Sequence, residues 1–212
     1  MSESDRKEFF DAIIRGDLEF VAASLVRDPS LIHAHQRGAT GMHFAAIHDN
    51  RSLVDLLLEH GADIDAIDFD YGAPPIGWAN EKGHDAMVEY LYARGASVDL
   101  HRAAAYGLLV RVEFLLRQDA SVVNSISGFG TPLHEAALWG RSEVFTLLLE
   151  YGADPRLKNS LQKNALAIAL EQVVSDCRAT PIAIETRRRE IRKGCVKIIE
   201  LLRKLQMEKE AT

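Results

Sequence analysis

With 212 residues, 47% of them hydrophobic and 26% charged, the chain has the composition of a globular protein able to bury roughly 70% of the surface its unfolded form exposes. A net charge of −6 argues against a general nucleic-acid binder, the N-terminus MSESDRKEFF is unlike a signal peptide, and no apolar run approaches the roughly 18 residues of a membrane span. The only cysteines, Cys177 and Cys195, show no metal or disulfide-framework spacing, so a soluble protein of a reducing, cytoplasmic compartment is expected.

In chain order, residues 5–27 (DRKEFFDAIIRGDLEFVAASLVR) read as a first helix pair. TGMHFAA at 40–46 opens a second pair, completed by the helix-period run SLVDLLLEHGAD at 52–63. PPIGWAN at 74–80 is followed by AMVEYLYARGAS at 86–97, and DLHRAA at 99–104 by VRVEFLLRQDAS at 110–121. TPLHEAA at 131–137 precedes SEVFTLLLEYGAD at 142–154, and NALAIAL at 164–170 opens a sixth pair. The third-place apolar residues Met42, Ile76, Leu100, Leu133 and Leu166 are spaced 34, 24, 33 and 33 apart, so the chain is a repeat array with one short interval. Within the best copy, Thr131 is placed to cap a helix and Pro132 occupies its first turn, where a missing N–H costs nothing. Leu133, Ala136 and Ala137 then share one packing face.

These copies resemble the ankyrin-repeat family, whose motif is T-P-L-H-x-A-A followed later by L-L-L-x-x-G-A-D; residues 131–154 match it most closely and 40–63 nearly as well, and the resemblance covers nearly the whole chain. It implies an all-α solenoid of about six helix-turn-helix repeats with short β-hairpin loops. The chain would be a single domain over 1–212, with an N-terminal capping repeat at 1–36, four central repeats at 37–163 and a C-terminal capping repeat at 164–212. His43, His101 and His134, with Thr40, Thr131 and Pro132, are then structural, the imidazoles tying adjacent repeats together through backbone hydrogen bonds. The resemblance also implies a non-catalytic module, an adaptor, scaffold or inhibitor acting as a monomer, that binds another protein through a concave groove and hairpin tips. Groove places are Ile47, His48, Glu81, Lys82, Tyr106, Leu138 and Trp139, and the tips add Phe69, Tyr71 and Phe129. Tyr71, Tyr106 and Trp139 would anchor one groove.

Departures from the repeat carry more information. In the third repeat Gly77 stands at the histidine place and Asn80 at the second alanine place, so this unit is expected to be the least regular. Gly95 to Leu100 is only 5 residues, against 15 from Gly61 to Ile76, so one hairpin should be missing and Tyr106 left more accessible than its equivalents. Asp28, Ser30, Thr40, His43, Ala45 and Ala46 recur 91 residues on as Asp119, Ser121, Thr131, His134, Ala136 and Ala137, which suggests two three-repeat halves joined at that short loop. In the last repeat the glycine expected at the inter-helix turn arrives only at Gly194, after an insert of about twenty residues with a turn and helix-start signal at Thr180-Pro181, so the last helix is expected to begin early and run long. The insert's Arg187, Arg188, Arg189, Arg192 and Lys193 suit either a nucleic-acid or phosphorylated ligand or, the preferred reading, the polar face of a capping helix partnered by Glu185 and Glu190.

No catalytic, cofactor or metal set emerges. GFGTPL at 128–133 lacks the last glycine and the strand-crossover setting of a phosphate loop. The acids at 63, 65, 68 and 70 lack the glycine and terminal Glu of a calcium loop.

Overall fold

The computed structural model describes residues 2–174 and 182–210, without the side chains of 182–186 and 207–210. Thr180-Pro181, Cys177 and the Glu185 side chain therefore lie outside the described residues. Twelve helices among the described residues form six consecutive pairs. They are α1 (Glu3–Arg15) with α2 (Leu18–Arg27), α3 (Gly41–Ile47) with α4 (Arg51–Glu59), and α5 (Pro75–Lys82) with α6 (Asp85–Ala93). The remaining pairs are α7 (Leu100–Tyr106) with α8 (Leu109–Gln118), α9 (Pro132–Leu138) with α10 (Ser142–Glu150), and α11 (Ala165–Val174) with α12 (Ile182–Glu210). The chain divides into two compact units, Met1–Ser97 and Val98–Thr212, at the short connection before α7.

Local chemistry starts and stops these helices. Ser2 Oγ accepts from the Asp5 N–H at 3.1 Å while the Asp5 carboxylate accepts from the Ser2 N–H at 3.2 Å, a reciprocal cap that satisfies donors α1 otherwise leaves open. Phe9, Phe10, Ala12 and Ile13 then recur at helical spacing and are buried. The alanine pairs Ala45-Ala46, Ala103-Ala104 and Ala136-Ala137 are completely buried where each first helix meets its neighbours, and a methyl group is the largest side chain that allows so close an approach.

β1 (His35–Gln36) pairs antiparallel with β2 (Ala39–Thr40), and Arg37 (φ 49°) and Gly38 (φ 75°) supply the left-handed turn that matches strand twist. Its counterpart in the second unit shrinks to a single bridge, with Ser127 and Gly130 exchanging N–H to carbonyl bonds of 3.0 Å. The 91-residue echo is physical as well. Asp28 accepts from the Ser30 N–H (3.0 Å) and hydroxyl (2.6 Å), and Asp119 accepts from the Ser121 N–H (2.9 Å) and hydroxyl (2.6 Å), each opening a short 3-10 turn. Between Gly95 and Leu100 there is no strand or bridge, and the Ser97 N–H is taken by the Asp65 carboxylate (2.9 Å) instead.

The last helix begins early and runs long, as expected, and Gly194 takes a role other than a turn. It lies within the continuous α12, where no turn occurs, and it packs against Gly140, the left-handed residue (φ 63°) between α9 and α10. A Cβ on Gly194 would stand 2.6 Å from the Gly140 carbonyl carbon, so this glycine is required for backbone contact and not for a bend. One residue on, the fully buried Cys195 thiol donates to the Ala137 carbonyl at 3.3 Å, and burial pushes the thiol up to about 11.

Candidate functional site

The motif histidines act through both ring nitrogens. The Thr40 N–H donates to His43 Nδ1 at 3.2 Å. A backbone amide can only donate, so Nδ1 carries no proton, and Nε2–H donates to the Ala73 carbonyl at 3.0 Å. His134 repeats the arrangement: Thr131 N–H to Nδ1 at 3.1 Å, and Nε2–H to the carbonyls of Leu157 (3.0 Å) and Lys163 (3.1 Å). Burial disfavours the charged ring and holds both histidines below 6.5, more than the carbonyl acceptors raise them. His101 reaches forward in the same way, from Nε2 to the Ser125 carbonyl at 3.0 Å. Each histidine thus grips the loop that follows its own repeat. Gly77 has no such loop ahead of it, since residues 95–99 form no hairpin, so the lost histidine and the lost finger are one structural change.

The 63–73 finger, which His43 grips through Ala73, is also held from within by Asp68. Asp68, 2% exposed, accepts from the N–H groups of Asp70 (2.9 Å), Tyr71 (2.6 Å) and Ala73 (3.0 Å) and from the Trp78 indole N–H (3.0 Å). Burial opposes ionisation of Asp68, but the bonds from Tyr71 and Trp78, then Ala73 and Asp70, outweigh it and hold the carboxyl below the usual range. This knot fixes the tip of the 63–73 finger. The Phe69 N–H donates to the Gly38 carbonyl at 3.1 Å, and the Phe69 ring stacks on His35 with centroids 4.5 Å apart and an interplanar angle of 18°. On this rigid base Phe69, one face of which stacks on His35, is still 73% exposed and Tyr71 is 82% exposed, a large aromatic surface open to solvent. Phe129 is half-buried on the second unit's finger, beside the exposed Ile126.

The family model described as ankyrin repeats (3 copies) matches residues 9–100 and 100–178, most of the chain. The chain belongs to the ankyrin-repeat family. It is similar to the palmitoyltransferase AKR1 of Lachancea kluyveri, at 26% identity over 61% of this chain and 24% of that protein. It is also similar to ankyrin repeat and SOCS box protein 11 of Pongo abelii, at 33% identity over 57% of this chain and 42% of that protein. The crystal structure of the human ASB11 ankyrin repeat domain superposes with a TM-score of 0.56 at 28% identity, covering 84% of this chain and 81% of that one. The chain thus spans less than half the length of these curated relatives.

The ankyrin repeats dispose the expected groove places unevenly. His48, Glu81 and Lys82 are exposed, and Ile47 is half-buried with its carbonyl accepting from His84 Nε2 at 3.1 Å. Tyr106 overturns its expectation: it is 9% exposed, and burial pushes its hydroxyl up to about 12. Losing a finger does not uncover the ring, which α7 turns into the core of its own unit. Leu138 and Trp139 are half-buried, and the Trp139 face is taken by the chain's own Arg187, whose guanidinium carbon lies 5.8 Å from the ring centroid. Arg187 is itself buried, Lys193 pairs with Glu190 at 2.9 Å, and Arg188 and Arg189 face solvent.

Two features escaped the sequence reading. Trp78 sits at the motif's variable place, and only its proximity to Asp68 shows that it anchors the finger. Glu135, at the same place in its repeat, is half-buried; burial, then the Asp99 charge, pushes its carboxyl up to about 7. Among the described residues no group of three or more His, Cys, Asp or Glu is placed to hold a metal ion, and no helix is long and apolar enough to cross a membrane.

Proposed function

We propose that this chain is a non-catalytic protein-interaction module that recognises a partner protein through its finger tips, with the 63–73 finger as principal contact. Ankyrin repeats in general serve protein interaction, and one observation supports this site: Phe69 and Tyr71 stand exposed on a tip that four hydrogen bonds to Asp68 already hold rigid. Exposed aromatic side chains on a preorganised support bind with little loss of conformational entropy. His48, Glu81 and Lys82, exposed in the same unit, supply a polar margin. One relative's name carries a transferase activity, but this chain spans 24% of that protein and matches ankyrin repeats over most of its length, so the reading here is binding.

The test is site-specific photo-crosslinking in cells. A photoreactive phenylalanine at Tyr71 should capture a discrete protein that the same probe at Glu89, exposed on α6, does not. Phe69→Ala should abolish the capture while moving folding stability by under about 0.5 kcal/mol, as surface truncations do. Equal capture from both positions, or none from Tyr71, would refute the assignment.

A further inference from the structure

The two units differ sharply in charge. Met1–Ser97 carries 17 Asp and Glu against 8 Lys and Arg, a net of −9, whereas Val98–Thr212 carries 14 against 17, a net of +3, together the −6 of the whole chain. Part of each charge lines a shaped surface. In the first unit an open cleft of about 420 Å³ lies between α2 and α4, floored by Leu18, Ala22 and Leu56 and rimmed by Glu19, Asp55 and Glu59. Asp55 is engaged by the Tyr90 hydroxyl (2.6 Å) and by Arg94. Glu19 and Glu59 are exposed and form no ion pair among the described residues. Val26, 77% exposed, continues the line of Leu18 and Ala22 at intervals of four residues, which puts all three on one face of α2.

In the second unit α12 buries Cys195, Ile198, Ile199 and Leu202. Its exposed face carries Arg189, Lys193, Val196, Lys197, Arg203 and Lys204 with Glu200 among them, and at its edge the exposed Glu190 pairs with Lys193 at 2.9 Å. At 100° per residue these positions fall within about a third of the helix circumference, and from 189 to 204 they run roughly 22 Å. The stripe is therefore basic, is centred on the 40% exposed Val196, and is long enough to lie along the whole of α2 or α4.

We propose that the α2–α4 cleft receives the basic stripe of α12 from a second copy of this chain, so that the protein self-associates head to tail in place of the monomer expected from sequence. The occupant is argued from complementarity: an apolar floor between carboxylates fits an exposed helix face with one apolar residue among cations, and every molecule carries both halves of the match. Because the two surfaces differ, the contact is heterologous and extends into longer assemblies unless the geometry closes a ring. The proposal is independent of the finger-tip site.

Sedimentation velocity of the full chain tests it. After nuclease treatment and at 50 mM salt, the weight-average sedimentation coefficient should rise with protein concentration, and at 500 mM salt the rise should vanish because exposed charges are then screened. Glu19→Lys with Glu59→Lys, and separately Lys193→Glu with Lys197→Glu, should each weaken association at least tenfold with an unchanged circular dichroism spectrum. All four changes in one chain should restore it. A chain that stays monomeric at low salt overturns the proposal. So does association that survives either reversal, that fails to return in the fourfold variant, or that disappears with nuclease treatment because nucleic acid bridged the stripes.

Discussion

Replacing His134 with Ala removes a side chain that is 1% exposed and bonded on both edges, so the loss can be worked group by group. Thr131 loses the acceptor for its N–H, and Leu157 and Lys163 lose the donor shared by their carbonyls. An orphaned buried backbone group costs about 1–3 kcal/mol, and some of the loss is recovered where water or a shifted loop fills the space, so a total of about 3–5 kcal/mol is expected. In a chain of this size about 2–4 °C of thermal midpoint accompanies each kcal/mol, which predicts a fall of roughly 6–20 °C. A urea titration at pH 7.5 followed by far-ultraviolet circular dichroism measures it, with the exposed His48→Ala as a neutral control. The sign of the pH dependence is a second check. Burial depresses the folded value of His134, so its contribution is complete above 6.5 and is lost as pH falls toward that folded value. The difference between wild type and His134→Ala should therefore shrink from pH 7.5 to pH 5. A loss under 1 kcal/mol at pH 7.5, or an equal loss from His48→Ala, would refute the assignment of the histidine as the grip between repeats.

Two further predictions use the second unit. Gly to Ala inside a helix ordinarily stabilises by about 1 kcal/mol, but Gly194→Ala should destabilise by about 2 kcal/mol or more, because the new methyl group meets the Gly140 backbone and not a flexible side chain; a calorimetric midpoint at or above wild type would refute the close-approach role. Glu135→Gln should stabilise the protein at pH 8 and leave it unchanged at pH 4. With the folded carboxyl at about 7, the favourable protonated state is complete below 4.5 and lost as pH rises through 7, and at about 1.4 kcal/mol per pKa unit, discounted for partial exposure, the gain at pH 8 is about 1–2 kcal/mol; an equal effect at both pH values would show that Glu135 does not titrate in that window.

The repeat architecture was legible because its signals are local. A Thr-Pro start, paired alanines and a leucine run each specify a helix terminus or a packing face within a few residues, and α3, α4, α9 and α10 fall where TGMHFAA, SLVDLLLEHGAD, TPLHEAA and SEVFTLLLEYGAD place them. The missing finger was a matter of counting, since five residues are too few for helix exit, hairpin and re-entry. The environment of individual side chains was not legible in the same way. Motif position puts Tyr106 and Trp139 on equivalent places of neighbouring repeats, yet the first is buried within its own unit and the second is approached by Arg187 of α12, and no local pattern encodes either outcome. The long last helix was expected, but the contact of its Gly194 with Gly140, 54 positions away, was not. Helix and turn propensities act between near neighbours, so sequence alone determined which segments become repeats. Exposure, pKa shifts and ring contacts arise between residues brought together by packing, so only the tertiary structure decided which faces of those repeats remain open to a partner.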